Sequence, residues 1–288
     1  MQSNEDIIRK EWRKLKNTEI FRDTMERYMD DPNLQEAVLH SMMDQRFFAA
    51  DMKMSEPKLR YNERAKIVVS GCRSVEAAEK YVREGKRVCV LNFASSATPG
   101  GGVLQGSSAQ EEAICRTTTL YPCLDNDLMW ESFYLPHRLK GDPLANNDCI
   151  YTPGVCVFKS DTDFPKPLSE DQWWSVNIIT CAAPNLRSRH LHRSVSQAEL
   201  RTLFRSRIRR IFDVAHAEQN EVLILGAFGC GAFGNDPHLV ADAFFEVMRD
   251  YMFCFETIEF AIFHTDRETE NYQAFYEKNE QNGASALR

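Results

Sequence analysis

The chain has 288 residues, 43% of them hydrophobic and 27% charged, which allows a substantial core and excludes disorder throughout. That length suits one large domain or two small ones. A net charge of -7 and a pI near 5.6 speak against a nonspecific binder of phosphate backbones, which needs a basic surface, but leave room for a small polyanion in one local pocket.

The N-terminal stretch MQSNEDIIRKEWRKL lacks the apolar run of a signal peptide, and no segment approaches about 18 consecutive apolar residues. The nine cysteines stand singly with no C-x-x-C, several of them, such as Cys89 and Cys181, inside apolar runs. They read as buried thiols of a reducing compartment rather than a disulfide or zinc framework. The expectation is a cytoplasmic protein, nuclear residence being equally compatible, with no membrane span and no metal.

Residues 5–30 carry Ile7, Ile8, Trp12, Leu15, then Ile20 or Phe21, Met25, Tyr28 and Met29 at helical spacing, and Asp31-Pro32 breaks the pattern. A second helical pattern covers 33–50. Residues 1–60 are therefore expected to form an N-terminal helical accessory segment padding a core formed by 61–288. In that core KIVV (66–69) predicts a short strand, SVEAAEKYVREG (74–85) a helix ended by Gly85, and RVCVLNFA (87–94) a strand covered on both faces. Three consecutive glycines follow, Gly100, Gly101 and Gly102, and then a helix from about Ser108, where Ser108 and Glu111 fit a capping box.

Residues 122–149 look irregular, with aromatics, prolines and turn residues; a loop of that length in a compact domain is often functional, and short helix within it is compatible with the pattern. VCVF (155–158) and WWSVNIITC (173–181) predict strands. Residues 196–220 form the clearest helix, with an apolar stripe from Leu200 to Ala215 and arginines opposite. EVLIL (221–225) is a strand leading into GAFGCGAFGN (226–235), a second glycine loop; helix 238–252, strand 257–263, helix 267–280 and a loose tail complete the chain. Strands alternating with helices from 66 to 263 define an α/β fold with a parallel or mixed sheet.

The second glycine loop lies beyond the C-terminal end of a strand, where α/β proteins bind ligands, and opens a helix, so its main-chain N–H groups can cradle phosphate. A compact strand–helix turn is the alternative. It is neither a Rossmann nor a Walker loop and contains no lysine or arginine, so backbone would meet the negative charge. Phe228 reads as a core anchor and Phe233 as a stacking face for a ribose or base.

Glu111 and Glu112 sit beside the first glycine loop. Glu111 has a local explanation in the capping box; Glu112 has none, and can serve as the acid–base group of a glycosidic cleavage. Gln110 is either structural or a ligand donor, and Arg116 either pairs with a helix glutamate or meets a substrate phosphate. The histidines show no metal-ligand spacing, His190 and His192 read as a solvated turn, and Cys115 and Cys230 have no histidine nearby to activate them.

PGGG followed by seven residues and QEE (Pro99 to Glu112), together with LNFASSATPGGGVLQG, LYPCL, YTPGVCVF, CAAPN and GAFGCGAFGNDP, resembles the microbial-type branch of the poly(ADP-ribose) glycohydrolases over about residues 60 to 265. The resemblance implies a macrodomain-like three-layer α/β/α fold with a mixed central sheet and an N-terminal helical extension. It implies hydrolysis of the ribose–ribose O-glycosidic bond of poly(ADP-ribose), releasing ADP-ribose from chain ends without a cofactor or metal, by a monomer. Glu112 corresponds to the catalytic carboxyl and Glu111 to the group that holds the ribose hydroxyls. Gly100, Gly101 and Gly102 would line the diphosphate and distal-ribose side, with Gly229, Cys230, Gly231, Ala232, Phe233 and Gly234 as the second phosphate loop and Asn92 supporting the ribose. Related proteins often carry an asparagine just before the glycines; here Ser95-Ser96-Ala97-Thr98 stands there, leaving Thr98 as the available hydroxyl. The rival readings are a hydrolase of mono-ADP-ribose on protein, nucleic acid or an acetyl group, and an ADP-ribose binding module without turnover. A dinucleotide oxidoreductase is less compatible, because the Rossmann fingerprint is missing.

Overall fold

The computed structural model describes residues 4–266 and 269–286, and the fold is built on one seven-stranded sheet. The strands are β1 (Arg46–Phe48), β2 (Lys66–Ser70), β3 (Val88–Phe93), β4 (Cys149–Val157), β5 (Trp174–Cys181), β6 (Val222–Leu225) and β7 (Thr257–Ala261), in the spatial order β1-β4-β5-β3-β6-β7-β2. The five strands from β5 to β2 run parallel, and β4 and β1 add antiparallel pairs at one edge, so the sheet is mixed. β3, β6 and β7 lie at its centre with every residue but Phe93 buried, as expected of a sheet covered on both faces; Asn92 of β3 and Thr257 and Glu259 of β7 are polar residues buried among the apolar ones.

The helices are α1 (Asn4–Asp30), α2 (Pro32–Met43), α3 (Ser74–Arg83), α4 (Gln110–Thr117), α5 (Leu120–Leu124), α6 (Asp127–Met129), α7 (Leu135–Lys140), α8 (Gln197–Ala217), α9 (Pro237–Met248) and α10 (Glu270–Ala286). One face of the sheet packs on α8, α9 and α10 through Phe204, Ile208, Phe244 and Phe275; the other packs on α1, α3, α4 and α5 through Phe21, Val75, Ile114 and Leu120. This is the expected three-layer α/β/α arrangement. β1 belongs to the same sheet although it lies within residues 1–60, pairing Phe47 with Ile150 of β4.

Several local expectations are corrected. The stripe assigned to the start of α1 is not buried: Ile7, Ile8, Trp12 and Leu15 are exposed, and the buried face is Asn17, Phe21 and Thr24. The helix docks through Phe21, packed edge-on against the Tyr121 ring, and through polar side chains that reach main chain on either side of it. Residues 122–149 are largely helical, with a π-helical turn at Trp130–Tyr134 between α6 and α7. Pro136 is the second residue of α7 and follows directly on the π-helical turn.

The arginines of α8 are not all opposite the core. Arg207 is fully buried, donating to the carbonyls of Leu144 (3.0 Å) and Ala182 (2.7 Å), and Arg210 ties down the carbonyls of Ala50 and Met52. The C-terminal residues expected as a loose tail continue α10 to Ala286. Among the described residues no helix is long and apolar enough to cross a membrane.

Candidate active site

A cleft of about 550 Å³ opens at the C-terminal ends of the parallel strands, the place where α/β sheets bind ligands. One wall is the turn after β3 and the first residues of α4, another is the loop between β6 and α9, and the residues after β7 close the far end.

Chain geometry forces the glycines. Gly100 and Gly101 have φ of +64° and +58°, and a Cβ on Gly101 would lie 2.6 Å from Oε1 of Glu112 and 2.8 Å from Oε2 of Glu111. The turn is thus pressed against both carboxylates, and only a residue without a side chain fits. Gly101 and Gly102 line the cleft; Gly100 does not, since its Cα faces the Tyr121 ring. Thr98 and Ser95 also line it.

α4 starts one residue later than the capping box required. Its N-cap is Ala109, without a side-chain cap bond, so the capping role drawn for Ser108 and Glu111 is not realised. Glu111 turns inward instead. Its Oε2 accepts the Ser95 N–H at 2.8 Å and its Oε1 lies 3.5 Å from Nδ2 of Asn92. Burial pushes the Glu111 carboxyl well above the usual carboxylate range, and the neighbouring Glu112 pushes the same way, against the Ser95 N–H.

Glu112 Oε1 accepts the Gly102 N–H at 2.8 Å. Its Oε2, buried under the cleft wall, has no partner among the described residues. Two adjacent glutamates therefore differ sharply: one is anchored through both oxygens, the other through one.

Asn92 is fully buried and donates to Thr180 Oγ1 at 3.2 Å; it stands behind Glu111 and does not line the cleft. Gln110 lines the cleft, yet its amide is committed to protein: Oε1 accepts the Phe93 N–H (2.9 Å) and Nε2 donates to the Leu91 carbonyl (2.7 Å) and Ser74 Oγ (3.1 Å), lacing α4 to the end of β3. Arg116 meets neither a helix glutamate nor the cleft by hydrogen bond. It is buried and holds the Ser107 carbonyl at 2.6 Å, fixing the far side of the glycine turn.

In the second loop Gly229, Gly231, Ala232 and Phe233 line the cleft, whereas Cys230 and Gly234 do not. The Cys230 thiol is turned toward the Phe228 carbonyl, and Gly234, with φ +73°, packs under the Arg187 side chain. Phe228 is fully buried, as expected of a core anchor, and Phe233 is half-buried in the cleft wall. Asn235 stitches the loop shut, donating to the Pro184 and Gly229 carbonyls at 2.8 Å each. His190 and His192 are exposed.

Sequence reasoning missed the far end: Arg73, Asp161, Phe263 and Asn271. Phe263 is half exposed, with the Arg73 guanidinium 4.1 Å from its ring centroid. The signal available was position, since Arg73 and Phe263 each follow within three residues of a strand's C-terminal end. Asp161 and Asn271 come from distant segments with no local motif. Among the described residues no group of three or more His, Cys, Asp or Glu side chains is arranged to hold a metal ion.

Two carboxylates walled in by main chain line a cleft of about 550 Å³ together with a glycine-rich loop at the C-terminal ends of the strands, an arrangement compatible with glycosidic cleavage. The class so defined is a macrodomain-like α/β hydrolase. The family model "Microbial-type PARG, catalytic domain" matches residues 16–160, and the chain belongs to this family of poly(ADP-ribose) glycohydrolases (PARG). Among solved structures, the chain is similar to the poly(ADP-ribose) glycohydrolase of Thermomonospora curvata at 28% identity and TM-score 0.81, covering 91% of this chain and 98% of that one. It is likewise similar to the same enzyme bound to the inhibitor ADP-HPD, at 28% identity, TM-score 0.78 and the same coverage. The glycohydrolase of Deinococcus radiodurans in complex with ADP-ribose matches at 30% identity and TM-score 0.75, over 85% of this chain and 97% of that one. No curated protein matches the sequence.

Proposed function

We propose that this chain hydrolyses poly(ADP-ribose) at the ribose–ribose O-glycosidic bond, releasing ADP-ribose from chain ends, with Glu112 as the acid–base group. Family membership supports the activity, and the ADP-ribose complex of the Deinococcus radiodurans relative supports the ligand. The observation that carries the residue assignment is the unpartnered Oε2 of Glu112. A buried carboxylate oxygen without a hydrogen bond costs free energy unless a ligand supplies one.

Gly102 fixes Oε1, so Oε2 is the oxygen left to protonate the departing ribose oxygen and then, as carboxylate, to draw a proton from water. Because Oε2 is closed off from solvent, reaching the substrate takes a rotamer change or a small shift of the Gly100–Gly102 turn. Glu111, anchored by Ser95 and backed by Asn92, positions the ribose hydroxyls. Burial holds the Glu111 proton more tightly than in an ordinary carboxyl, so Glu111 can donate a hydrogen bond to a ribose oxygen.

The diphosphate lies along Gly101, Gly102 and the 229–233 main chain, with Phe233 against the distal ribose, Thr98 as a further hydroxyl, and the base toward Phe263. Residues 1–60 serve as an accessory segment of the core. The chain acts as a monomer in this reading, and the nine free cysteines suit a reducing cytoplasm.

Glu112→Gln is expected to remove most turnover while leaving ADP-ribose affinity within about tenfold, about 1.4 kcal/mol. Chromatography of products and calorimetric binding check the two parts, and unchanged turnover sinks the assignment. Mono-ADP-ribosylated protein, assayed beside the polymer, separates this reading from a mono-ADP-ribosyl hydrolase.

A further inference from the structure

Four arginines before and along α8 are neutralised: Arg193, Arg201, Arg205 and Arg209 each pair with a carboxylate. Two others are not. Arg187, just beyond the end of β5, lays its side chain over Gly234 and points Nη1 at the Gly231 carbonyl at 3.4 Å. Arg138, from α7, donates Nε to the Ala97 carbonyl at 2.7 Å, one residue before the cleft-lining Thr98, with its guanidinium 4.8 Å from the Trp130 ring centroid.

Each guanidinium is thus mounted on the main chain of one of the two loops that wall the cleft, although neither side chain lines the cleft itself. Both side chains are exposed, and neither has a carboxylate within 4.0 Å among the described residues. The remaining N–H groups of both are free to donate outward. From residue 172 to residue 198 the chain contains no Asp or Glu, and Arg189 adds a third exposed cation without an ion pair.

These cations matter because of the substrate's chemistry. The scissile bond joins the distal ribose of the bound unit to the 2′-oxygen of the next unit's adenosine ribose. That next unit emerges at the carboxylate end and carries a diphosphate on its 5′ side. A chain of net charge -7 repels such a group unless local charge is reversed where it emerges.

Resting on the poly(ADP-ribose) reading above, we propose that Arg138 and Arg187 form a leaving-unit subsite, holding the diphosphate of the ADP-ribosyl unit from which the terminal one is cut. The planar guanidinium fork suits phosphate oxygens, and anchorage to loop carbonyls limits the side-chain freedom lost on binding. The subsite also ties substrate choice to the leaving group: a polymer engages it, whereas a unit attached to an uncharged acceptor does not.

The test compares wild type with Arg138→Gln/Arg187→Gln on poly(ADP-ribose) and on ADP-ribose joined through the same carbon to a small uncharged phenol. The double variant is expected to lose about tenfold in kcat/KM on the polymer, with a shallower dependence on salt between about 50 and about 200 mM. On the phenol glycoside, and in ADP-ribose affinity by calorimetry, its change is expected to stay within about twofold. Arg138→Lys/Arg187→Lys is expected to recover most of the polymer rate, because it restores charge at both lips. Undiminished polymer hydrolysis in the glutamine variant overturns the subsite. So do equal losses on both substrates, which mark a distorted loop. Failure of the wild type itself to cut polymer removes the underlying reading, a different result from either.

Discussion

Gly101 is where one methyl group decides the site. A side chain there meets two carboxylate oxygens at 2.6 Å and 2.8 Å, on backbone with φ of +58°, so neither relaxing the turn nor moving the glutamates is free of cost. Gly101→Ala is expected to fold and to lose about 100-fold or more in kcat/KM, about 2.7 kcal/mol of transition-state stabilisation. Steady-state kinetics beside a thermal melt check this; near-wild-type rates mean that the turn does not hold Glu112. The neighbouring glutamates make the same point about resolution at this scale. Helical spacing sent Glu111 and Glu112 in different directions, and that was legible. That Glu111 would abandon its cap for Ser95 and Asn92 was not, because its partners come from the preceding strand and loop.

At the scale of elements, α1 adds polar anchors to the apolar contact made by Phe21. Asn17 donates to the Gly106 carbonyl at 3.0 Å, and Thr24 donates to the Arg116 carbonyl at 2.7 Å. Buried Lys159 reaches Thr24 Oγ1 at 2.7 Å and Asp23 at 2.6 Å. These bonds clamp the helix onto the two segments that carry the glycine turn and α4, so the accessory helix helps hold the site in place. Asn17→Ala leaves the Gly106 carbonyl without its donor and is expected to cost about 1–3 kcal/mol in denaturant unfolding, with a fall in turnover. A loss of stability below about 0.5 kcal/mol, typical of surface substitutions, contradicts the clamp. None of these contacts has a local signature, which is why the exposed Ile7, Ile8, Trp12 and Leu15 read as the buried face from spacing alone.

Across the whole molecule, burying a carboxyl beside another ties stability to pH. The Glu111 proton is held more tightly in the folded state than the ordinary value of 4.5, chiefly by burial and then by Glu112. Such a group contributes fully at pH below 4.5 and loses its contribution as pH rises through the folded value, because the unfolded chain releases the proton first. Glu111→Gln is therefore expected to melt at a higher temperature than wild type, by a margin that widens from pH 4.5 to pH 8. Melting curves at the two pH values check it; a margin that narrows reverses the sign and the assignment with it.

The α/β class, the main strands, both glycine loops and the QEE segment were legible in the amino-acid sequence, since each rests on local chemistry: unbroken apolar runs, positions that only glycine tolerates, and a motif of fixed spacing. Tertiary structure decided the rest. It brought β1 into the sheet, turned residues 122–149 into helices and a π-helical turn, and buried Arg207 among carbonyls. It also supplied Arg138 and Arg187 to loops that contain no cation of their own, and left Glu112 with one oxygen unclaimed. The physical reason is common to all of these. Hydrogen-bond partners and neighbouring charges are set by which segments meet in space, and segments far apart in the chain carry no mutual trace of that meeting.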